Sequence, residues 1–149
     1  MTVLATMSDQ APGKPASGFR AALTEYPGCS MDAVKGEYHS YAPILLLIAA
    51  DDEEVSPKRC EQFAKRAAEA GSPLESHVYP GAAHNYDDPG AKKQAVPANR
   101  QATEDTFRRA EAFFARQLKQ AAGRCLCMLR KREQTALISN IGRLKEKPR

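Results

Sequence analysis

A continuous apolar run, Pro43–Ile48, constrains the fold of this chain more than any other part of its sequence. After the proline it consists of isoleucine and leucine alone, and four consecutive acidic residues follow at positions 51–54. A short apolar run with such polar limits is typical of a strand buried on both faces, although periodicity alone does not exclude a helix. Strands of this kind occur in parallel sheets that helices cover on both sides. The run therefore favours the α/β class of folds.

Two further segments are predicted to be strands, and each ends at a Pro-Gly turn. The first is Phe19–Tyr26, and the second is Leu74–Tyr79. An apolar segment at Met1–Met7, rich in good helix formers, precedes them. Together with two later helices, the order is helix, strand, strand, helix, strand, helix. This order predicts three parallel strands flanked by helices, which is a small sheet for a chain of 149 residues.

The two later helices lie on either side of the last strand. The earlier one begins at Ser56-Pro57, a capping residue followed by a proline in the first turn, and ends near Gly71. The later one covers Thr103–Ala122, with acidic residues in its first turn. Apolar residues recur at helical spacing in both helices and are expected to be buried. These residues are Cys60, Phe63, Ala64 and Ala67 in the earlier helix and Phe107, Ala110, Phe114 and Leu118 in the later one.

The positive charge of the chain is concentrated at its end. The net charge is +4, but residues 123–149 contain 8 basic and 2 acidic residues, whereas residues 1–122 contain 14 and 16. This contrast predicts a nearly neutral domain at 1–122 and a basic tail at 123–149, helical or disordered. The tail alone does not lead us to expect nucleic-acid binding. No apolar run reaches the ~20 residues that a membrane span requires, so none is expected.

Four cysteines are present, at positions 29, 60, 125 and 127. They form no C-x-x-C pair and have no histidine at metal-ligand spacing, so no zinc site is expected. Free thiols are the ordinary expectation for a chain of this size. Cys29 and Cys60 follow neighbouring predicted strands, and in an oxidising compartment they are the pair that could join.

Two loops carry ionisable residues soon after predicted strands. The first contains Asp51 and Asp52, and the second contains His84. Taken singly, an acidic run indicates a solvated turn, and a lone histidine indicates a surface residue. Taken together they indicate more, because sites in open parallel sheets form at the carboxyl ends of the strands. There a carboxylate can accept the Nδ1–H of an imidazole and leave the other ring nitrogen free to take a proton from a nucleophile.

Four segments in sequence order resemble the C-terminal half of the dienelactone hydrolase family, which belongs to the α/β-hydrolases. Phe19–Leu23 with Tyr26–Cys29 is similar to the sixth strand and its Y-P-G-C ending. Pro43–Ile48 with Asp52 to Pro57 is similar to the seventh strand and the acid loop. Tyr79–His84 is similar to the histidine loop, and Phe113-Phe114 is similar to part of the last helix. The resemblance covers about residues 1–120. It implies a partial α/β-hydrolase fold that lacks the N-terminal half of the sheet.

The resemblance also implies roles for two residues. Asp52 corresponds to the acid of a catalytic triad, and His84 corresponds to its general base. Asp51 is the competing choice for the acid, because many relatives have D-D-W-T-P here, whereas this chain has Glu53 and Glu54 and no tryptophan. A site of this kind needs no cofactor and no metal.

The nucleophile of this family is a Ser or Cys on a G-x-[SC]-x-G turn that precedes both the acid and the base. This sequence contains no such motif. Gly28–Asp32 is the nearest string, which makes Cys29 or Ser30 an alternative, but it lacks the second glycine. Met1–Met7 resembles the helix that follows the turn, which places the expected motif just upstream of Met1.

The activity that the resemblance implies is hydrolysis of a small-molecule carboxylic ester or lactone. The alternative is an inactive fragment or an interaction protein in which the basic tail dominates. Without preceding strands, the strand at Ala21–Tyr26 would have an open apolar edge, and open edges pair with other chains. Self-association through this edge is therefore expected.

Overall fold

The computed structural model describes residues 3–10, 18–30 and 34–119. The chain divides into two units, of which the first, Met1–Phe114, contains all the strands of the described residues. The predicted tail at 123–149, with two of the four cysteines, lies outside the described residues, as do residues 120–122 of the last predicted helix. The predicted domain boundary at residue 122 stays a prediction.

Three parallel strands form one sheet in the order β1-β2-β3. β1 is Ala22–Glu25, β2 is Ile44–Ala49 and β3 is Leu74–Tyr79. Every residue of the central strand β2 is buried, as its apolar composition predicted. β1 is shorter than predicted, because its pairing with β2 starts only where the Ala22 N–H donates to the Pro43 carbonyl, at 2.9 Å. The predicted α/β arrangement of three parallel strands and flanking helices is confirmed.

Four helices accompany this sheet in the described residues. They are α1 at Val3–Met7, α2 at Pro57–Glu69, α3 at Ala91–Gln94 and α4 at residues 97–119. α2 begins directly after its predicted capping residue, Ser56. It is followed by Gly71 at a φ of 79°, a conformation that favours glycine and ends the helix. The four residues predicted to be buried in α2 are buried.

The buried face of α4 differs from the predicted one. Phe107 and Leu118 were predicted to be buried, but they are 71% and 52% exposed. The buried side chains of α4 are those of Asn99, Ala102, Thr106 and Phe113. Two of these are polar and have hydrogen-bond partners, since Asn99 Oδ1 accepts the Ala83 N–H and Thr106 Oγ1 lies 2.7 Å from the Tyr86 hydroxyl. A prediction from hydrophobic spacing alone misses the buried face of α4, because two of the four side chains on that face are polar and hydrogen-bonded.

The side chains of β2 alternate between two cores on opposite faces of the sheet. On one face they pack with α1 and α2, and on the other face they pack with the first part of α4. The first core includes Leu4, Met7, Tyr38, Ile44, Leu46, Ile48 and Phe63, and the second includes Leu45, Leu47, Tyr79, Tyr86, Ala102 and Phe113. This layering leaves the carboxyl ends of the strands free to carry functional loops. No helix among the described residues is both long enough and apolar enough to cross a bilayer.

A disulfide joins Cys29 and Cys60. The expectation of free thiols is therefore wrong for these two residues, and the alternative pairing is the one that forms. The bond connects the loop after β1 to the first turns of α2, where both residues are buried. Proximity of two buried cysteines is a property of the packed domain, so spacing along the chain could not establish it.

Candidate active site

Two loops meet at the carboxyl edge of the sheet, one after β2 and one after β3. Parallel pairing between these strands continues beyond their ends, since the Ala50 N–H donates to the Tyr79 carbonyl at 3.0 Å. One residue further along the first loop, the Asp51 N–H donates to the Ala82 carbonyl at 2.9 Å. These two hydrogen bonds align the loops, so that the acidic run and the histidine lie side by side.

The carboxylate of Asp52 and the imidazole of His84 are in direct contact. His84 Nδ1 lies 2.8 Å from Asp52 Oδ2. The Asp52 side chain is 1% exposed and that of His84 is 14% exposed. The other carboxylate oxygen, Asp52 Oδ1, accepts the N–H groups of Glu54 and Val55, each at 2.9 Å. The carboxylate is thus held by its own loop, and one oxygen is left to accept the Nδ1–H of His84.

Asp51 does not share this position. It is exposed, and its backbone N–H, rather than its side chain, makes the contact with the histidine loop. The two candidate acids are neighbours in sequence, but only the side chain of Asp52 points to the imidazole. The arrangement orients His84 through Nδ1, which leaves Nε2 as the nitrogen that can exchange a proton with another group.

Nε2 of His84 faces the outer rim of the site. The group that the described residues place there is the carboxylate of Glu54, with Oε2 at 3.5 Å and a side chain that is 62% exposed. Glu53 approaches the histidine loop from the same run, and its carboxylate lies 3.8 Å from Lys93 Nζ. Lys93 also donates to the backbone carbonyl of His84, so one lysine neutralises part of the acidic rim and anchors the loop.

The loop that carries His84 is anchored by α4. Asn99, in the first turn of α4, accepts the N–H of Ala83 at 3.0 Å, directly before the histidine. Thr103 donates its hydroxyl to the carbonyl of Tyr86 at 3.0 Å, two residues after the histidine. The loop opens at Gly81 with a φ of 75°, where a Cβ would lie 3.1 Å from the Cβ of Ala98. Both backbone freedom and the close approach of α4 therefore favour glycine there.

Tyr26 is a residue of this site that the sequence reasoning did not identify. It follows β1 directly, and its ring centroid lies 4.7 Å from that of the His84 imidazole. Its hydroxyl donates to Asp87 Oδ1 at 2.8 Å, and its φ is 36°, which is rare for a residue with a side chain. Burial, followed by the hydrogen bond and charge of Asp87, raises the pKa of Tyr26 far above its ordinary value, so the hydroxyl stays protonated. The rule that selected the other two loops, position at the carboxyl end of a strand, also selects Tyr26.

Two further groups beside Tyr26 have altered acidity. Burial, and then the charge of Asp87, raises the pKa of Glu25 above its ordinary value. Burial also raises the pKa of Tyr86, whose hydroxyl lies 2.7 Å from Thr106 Oγ1 and whose ring is 5.5 Å from that of Tyr26. The site is therefore bordered by neutral hydroxyls and by a carboxylate that is costly to ionise.

The other candidate residues lie away from His84. Cys29 is bonded to Cys60, and Ser30 Oγ accepts a hydrogen bond from Arg59 at 2.9 Å, so neither alternative nucleophile contacts the imidazole. His39 pairs with Glu37 at 2.9 Å, and His77 lies 3.7 Å from Asp105. Within the part of the chain that the structure describes, no cluster of His, Cys, Asp and Glu has the arrangement of a metal site.

Comparison with known proteins yields one family and a set of similar folds. A model of the dienelactone hydrolase family matches residues 7–118. Esterase 2 of Thermogutta terrifontis is similar in its butyrate-bound structure, with a TM-score of 0.54, 15% identity, and coverage of 76% of this chain and 51% of that one. Its propionate-bound structure gives a TM-score of 0.50 at 17% identity, with coverage of 75% and 50%.

A third similar structure comes from Klebsiella pneumoniae and bears the provisional name of a dienelactone hydrolase. Its TM-score is 0.47 at 23% identity, with coverage of 64% of this chain and 41% of that one. The chain thus spans about half the length of the solved structures that it matches. No curated protein sequence matches the chain.

Proposed function

The chain belongs to the dienelactone hydrolase family, and from this premise we propose that it acts in the hydrolysis of carboxylic esters or lactones, supplying the acid and the base of a catalytic triad. Asp52 is the acid and His84 is the base. The observation that carries the proposal is the 2.8 Å contact between His84 Nδ1 and the buried Asp52 carboxylate. A buried carboxylate on Nδ1 sets the imidazole tautomer and stabilises the imidazolium that forms during acyl transfer.

The reaction proceeds in two acyl-transfer steps. A Ser or Cys attacks the ester carbonyl while His84 Nε2 takes the proton of the attacking group. The imidazolium then gives this proton to the leaving alcohol oxygen, and an acyl-enzyme remains. Water attacks the acyl-enzyme with the same nitrogen as base, which releases the carboxylic acid and restores the nucleophile. Throughout, Asp52 accepts the Nδ1–H and is not itself protonated.

The nucleophile, in this proposal, comes from a segment outside these 149 residues. The sequence contains no G-x-[SC]-x-G turn, and the chain spans about half the length of the similar solved structures. The polar group beside Nε2 in the described residues is the exposed carboxylate of Glu54, whose place a hydroxyl or thiol would take. The oxyanion donors would lie near the nucleophile and so outside this chain as well.

Small esters with short acyl groups are the substrates that we propose to test first. The esterase of similar fold was solved with propionate and with butyrate bound. Glu54 borders Nε2 of His84, and the Glu53 carboxylate accepts from the backbone N–H of His84 at 3.5 Å. With two carboxylates here, a neutral ester approaches more readily than an anionic one.

We also propose that the chain associates with itself through β1. Among the described residues, β1 pairs only with β2, so its other edge is open. An apolar groove of about 320 Å³ runs along that edge. It is lined by Val3, Thr6, Met7, Phe19, Ala21, Ala22 and Leu23. An open edge next to an apolar surface is a template for pairing with a second copy.

The decisive experiment compares two proteins in hydrolysis of p-nitrophenyl acetate and p-nitrophenyl butyrate. One is this chain, and the other is the chain extended upstream to include a G-x-[SC]-x-G turn. We expect activity in the extended protein that disappears in His84→Ala and is kept in His39→Ala, since His39 lies outside the site and pairs with Glu37. An extended His84→Ala protein that keeps full activity would contradict the proposed base.

A further inference from the structure

A second cavity lies between the segment that follows β1 and the helix α2. Its volume is about 380 Å³. It is lined by Cys29, Ser30, Lys35, Arg59, Gln62 and Arg66. Three of these six described side chains are cationic, and none of the six is acidic. The two arginines lie two turns apart on α2. Arg59 donates to Ser30 Oγ at 2.9 Å, and Arg66 donates to the Val34 carbonyl at 3.5 Å, so both side chains reach the segment that follows β1.

One of the two cysteines of the disulfide lines this cavity, so the two residues are not equivalent. Cys29 lines the cavity and is 7% exposed, whereas Cys60 does not line it and is 1% exposed. A nucleophile that enters the cavity is therefore on the Cys29 side of the disulfide. Attack there expels the sulfur of Cys60, which is the fourth residue of α2. A thiolate at that position is stabilised by the positive end of the helix dipole, which makes Cys60 the better leaving group.

We propose that this cavity is a docking site for a small thiol that bears carboxylate groups, and that such a thiol reduces the disulfide by attack on Cys29. The cations attract the carboxylates and stabilise the negative charge that is shared by the three sulfurs during exchange. A hydrolase triad plays no part in this reaction, so the inference is independent of the proposed function.

The exchange balances in two steps. The thiolate of the ligand bonds to Cys29 Sγ, the Cys29–Cys60 bond breaks, and Cys60 leaves as a thiolate that takes a proton from water. Its S–H then has an acceptor in place, because Cys60 Sγ lies 3.1 Å from the Pro27 carbonyl oxygen. A second ligand thiolate attacks the ligand sulfur of the mixed disulfide and releases Cys29 as a thiolate, which is protonated in turn. Two ligand thiols are oxidised to their disulfide while the protein disulfide gains two electrons.

The test measures the rate of disulfide reduction in the full chain with two probes, reduced glutathione, which is anionic, and cysteamine, which is cationic. For each protein the rate with glutathione is divided by the rate with cysteamine. Comparing this ratio between a variant and the parent cancels the intrinsic reactivity of each thiol. We expect Arg59→Gln combined with Arg66→Gln to lower the ratio about fivefold to tenfold, the effect of removing two nearby charges at a solvated site. The matched control, Lys58→Gln combined with Lys65→Gln, removes two charges of α2 that do not line the cavity and should change the ratio by less than about twofold.

Alkylation during the first step identifies the sulfur that is attacked. Proteolysis after Lys and Arg places Cys29 and Cys60 in different peptides, so a glutathione adduct can be assigned by mass. We expect the adduct on Cys29. An adduct mainly on Cys60, equal loss of the ratio in both pairs of variants, or complete alkylation of both cysteines without any reductant would overturn the proposal.

Discussion

The imidazole of His84 and the carboxylate of Asp52 meet at 2.8 Å although 32 positions separate them in sequence. Their contact depends on the parallel pairing of β2 and β3, which brings the two following loops to one edge of the sheet. Within the acid loop, backbone N–H groups of Glu54 and Val55 turn the Asp52 carboxylate inward. The pair is therefore preorganised by the fold.

Substitution of each candidate acid in turn separates the roles of Asp52 and Asp51. In an active, extended protein, Asp52→Asn is expected to lower kcat by about 10³–10⁴-fold, because an amide cannot stabilise the imidazolium or set its tautomer. Asp51→Asn, the matched control, should leave kcat within about threefold, since its side chain does not contact His84. In this chain alone, the low-field Nδ1 proton resonance of His84 should vanish in Asp52→Ala and persist in Asp51→Ala. Equal losses in both variants would contradict the assignment.

Two substitutions of Tyr26 separate its hydroxyl from its ring. Tyr26→Phe removes the hydrogen bond to Asp87 and should lower the free energy of unfolding by about 1 kcal/mol with little change in kcat. Tyr26→Ala also removes the ring that packs on His84 and should lower kcat of the extended protein by about 10–100-fold, because the imidazole gains freedom.

The control for Tyr26 is Tyr38→Phe. The Tyr38 hydroxyl donates to the Leu4 carbonyl at 2.7 Å in the opposite core. Its loss should lower stability and leave kcat unchanged. A kcat for Tyr26→Ala equal to that of the parent would show that the ring does not position the base.

The raised pKa of Glu25 predicts that a neutral residue at this position stabilises the folded chain by an amount that depends on pH. Burial and the charge of Asp87 raise the folded-state pKa of Glu25 above its unfolded value. A group of this kind contributes stability that is present below its unfolded pKa and is lost as pH rises through its folded pKa. Glu25→Gln should therefore raise the melting temperature by a few degrees near pH ~7 and by much less near pH ~4. Glu61→Gln, an exposed residue of α2, controls for the lost charge, and a gain for Glu25→Gln that is larger at acid pH would reverse the predicted sign.

Blocking the open edge of β1 should reduce self-association. The N–H groups of Ala22 and Tyr26 donate to β2, so by alternation the N–H of Glu25 points to the open edge. Glu25→Pro removes this donor and should shift the chain toward monomer in sedimentation or light-scattering measurements. Glu25→Gln controls for charge, and Ser76→Pro places a proline at the outer edge of β3. A parent chain that is monomeric at all concentrations would contradict the prediction, as would a stronger effect of Ser76→Pro.

The disulfide is expected to stabilise the domain. It closes a loop of 31 residues, and the chain-entropy model gives about 3–4 kcal/mol for a loop of this length. Cys29→Ser combined with Cys60→Ser should lower the free energy of unfolding in urea by this amount. Reduction of the parent should produce a loss of the same size, whereas the double variant should not respond to reductant.

Local sequence patterns determined the elements of this fold. The apolar run of β2 predicted a buried central strand, and Ser56-Pro57 with Gly71 predicted the limits of α2 to within two residues. The same patterns placed Asp52 and His84 in loops after neighbouring strands. These features depend on residues that are close in sequence, where periodicity, capping and backbone conformation act.

The tertiary structure decided the contacts that join distant parts of the chain. It selected Asp52 over Asp51 as the partner of His84, brought Tyr26 onto the imidazole, and paired two buried cysteines. A shift of one residue in a loop changes neither composition nor periodicity, yet it turns a side chain inward or outward. The buried face of α4 likewise depends on polar partners supplied by the histidine loop. Such choices are made by packing and hydrogen bonding between elements, and a local pattern does not contain them.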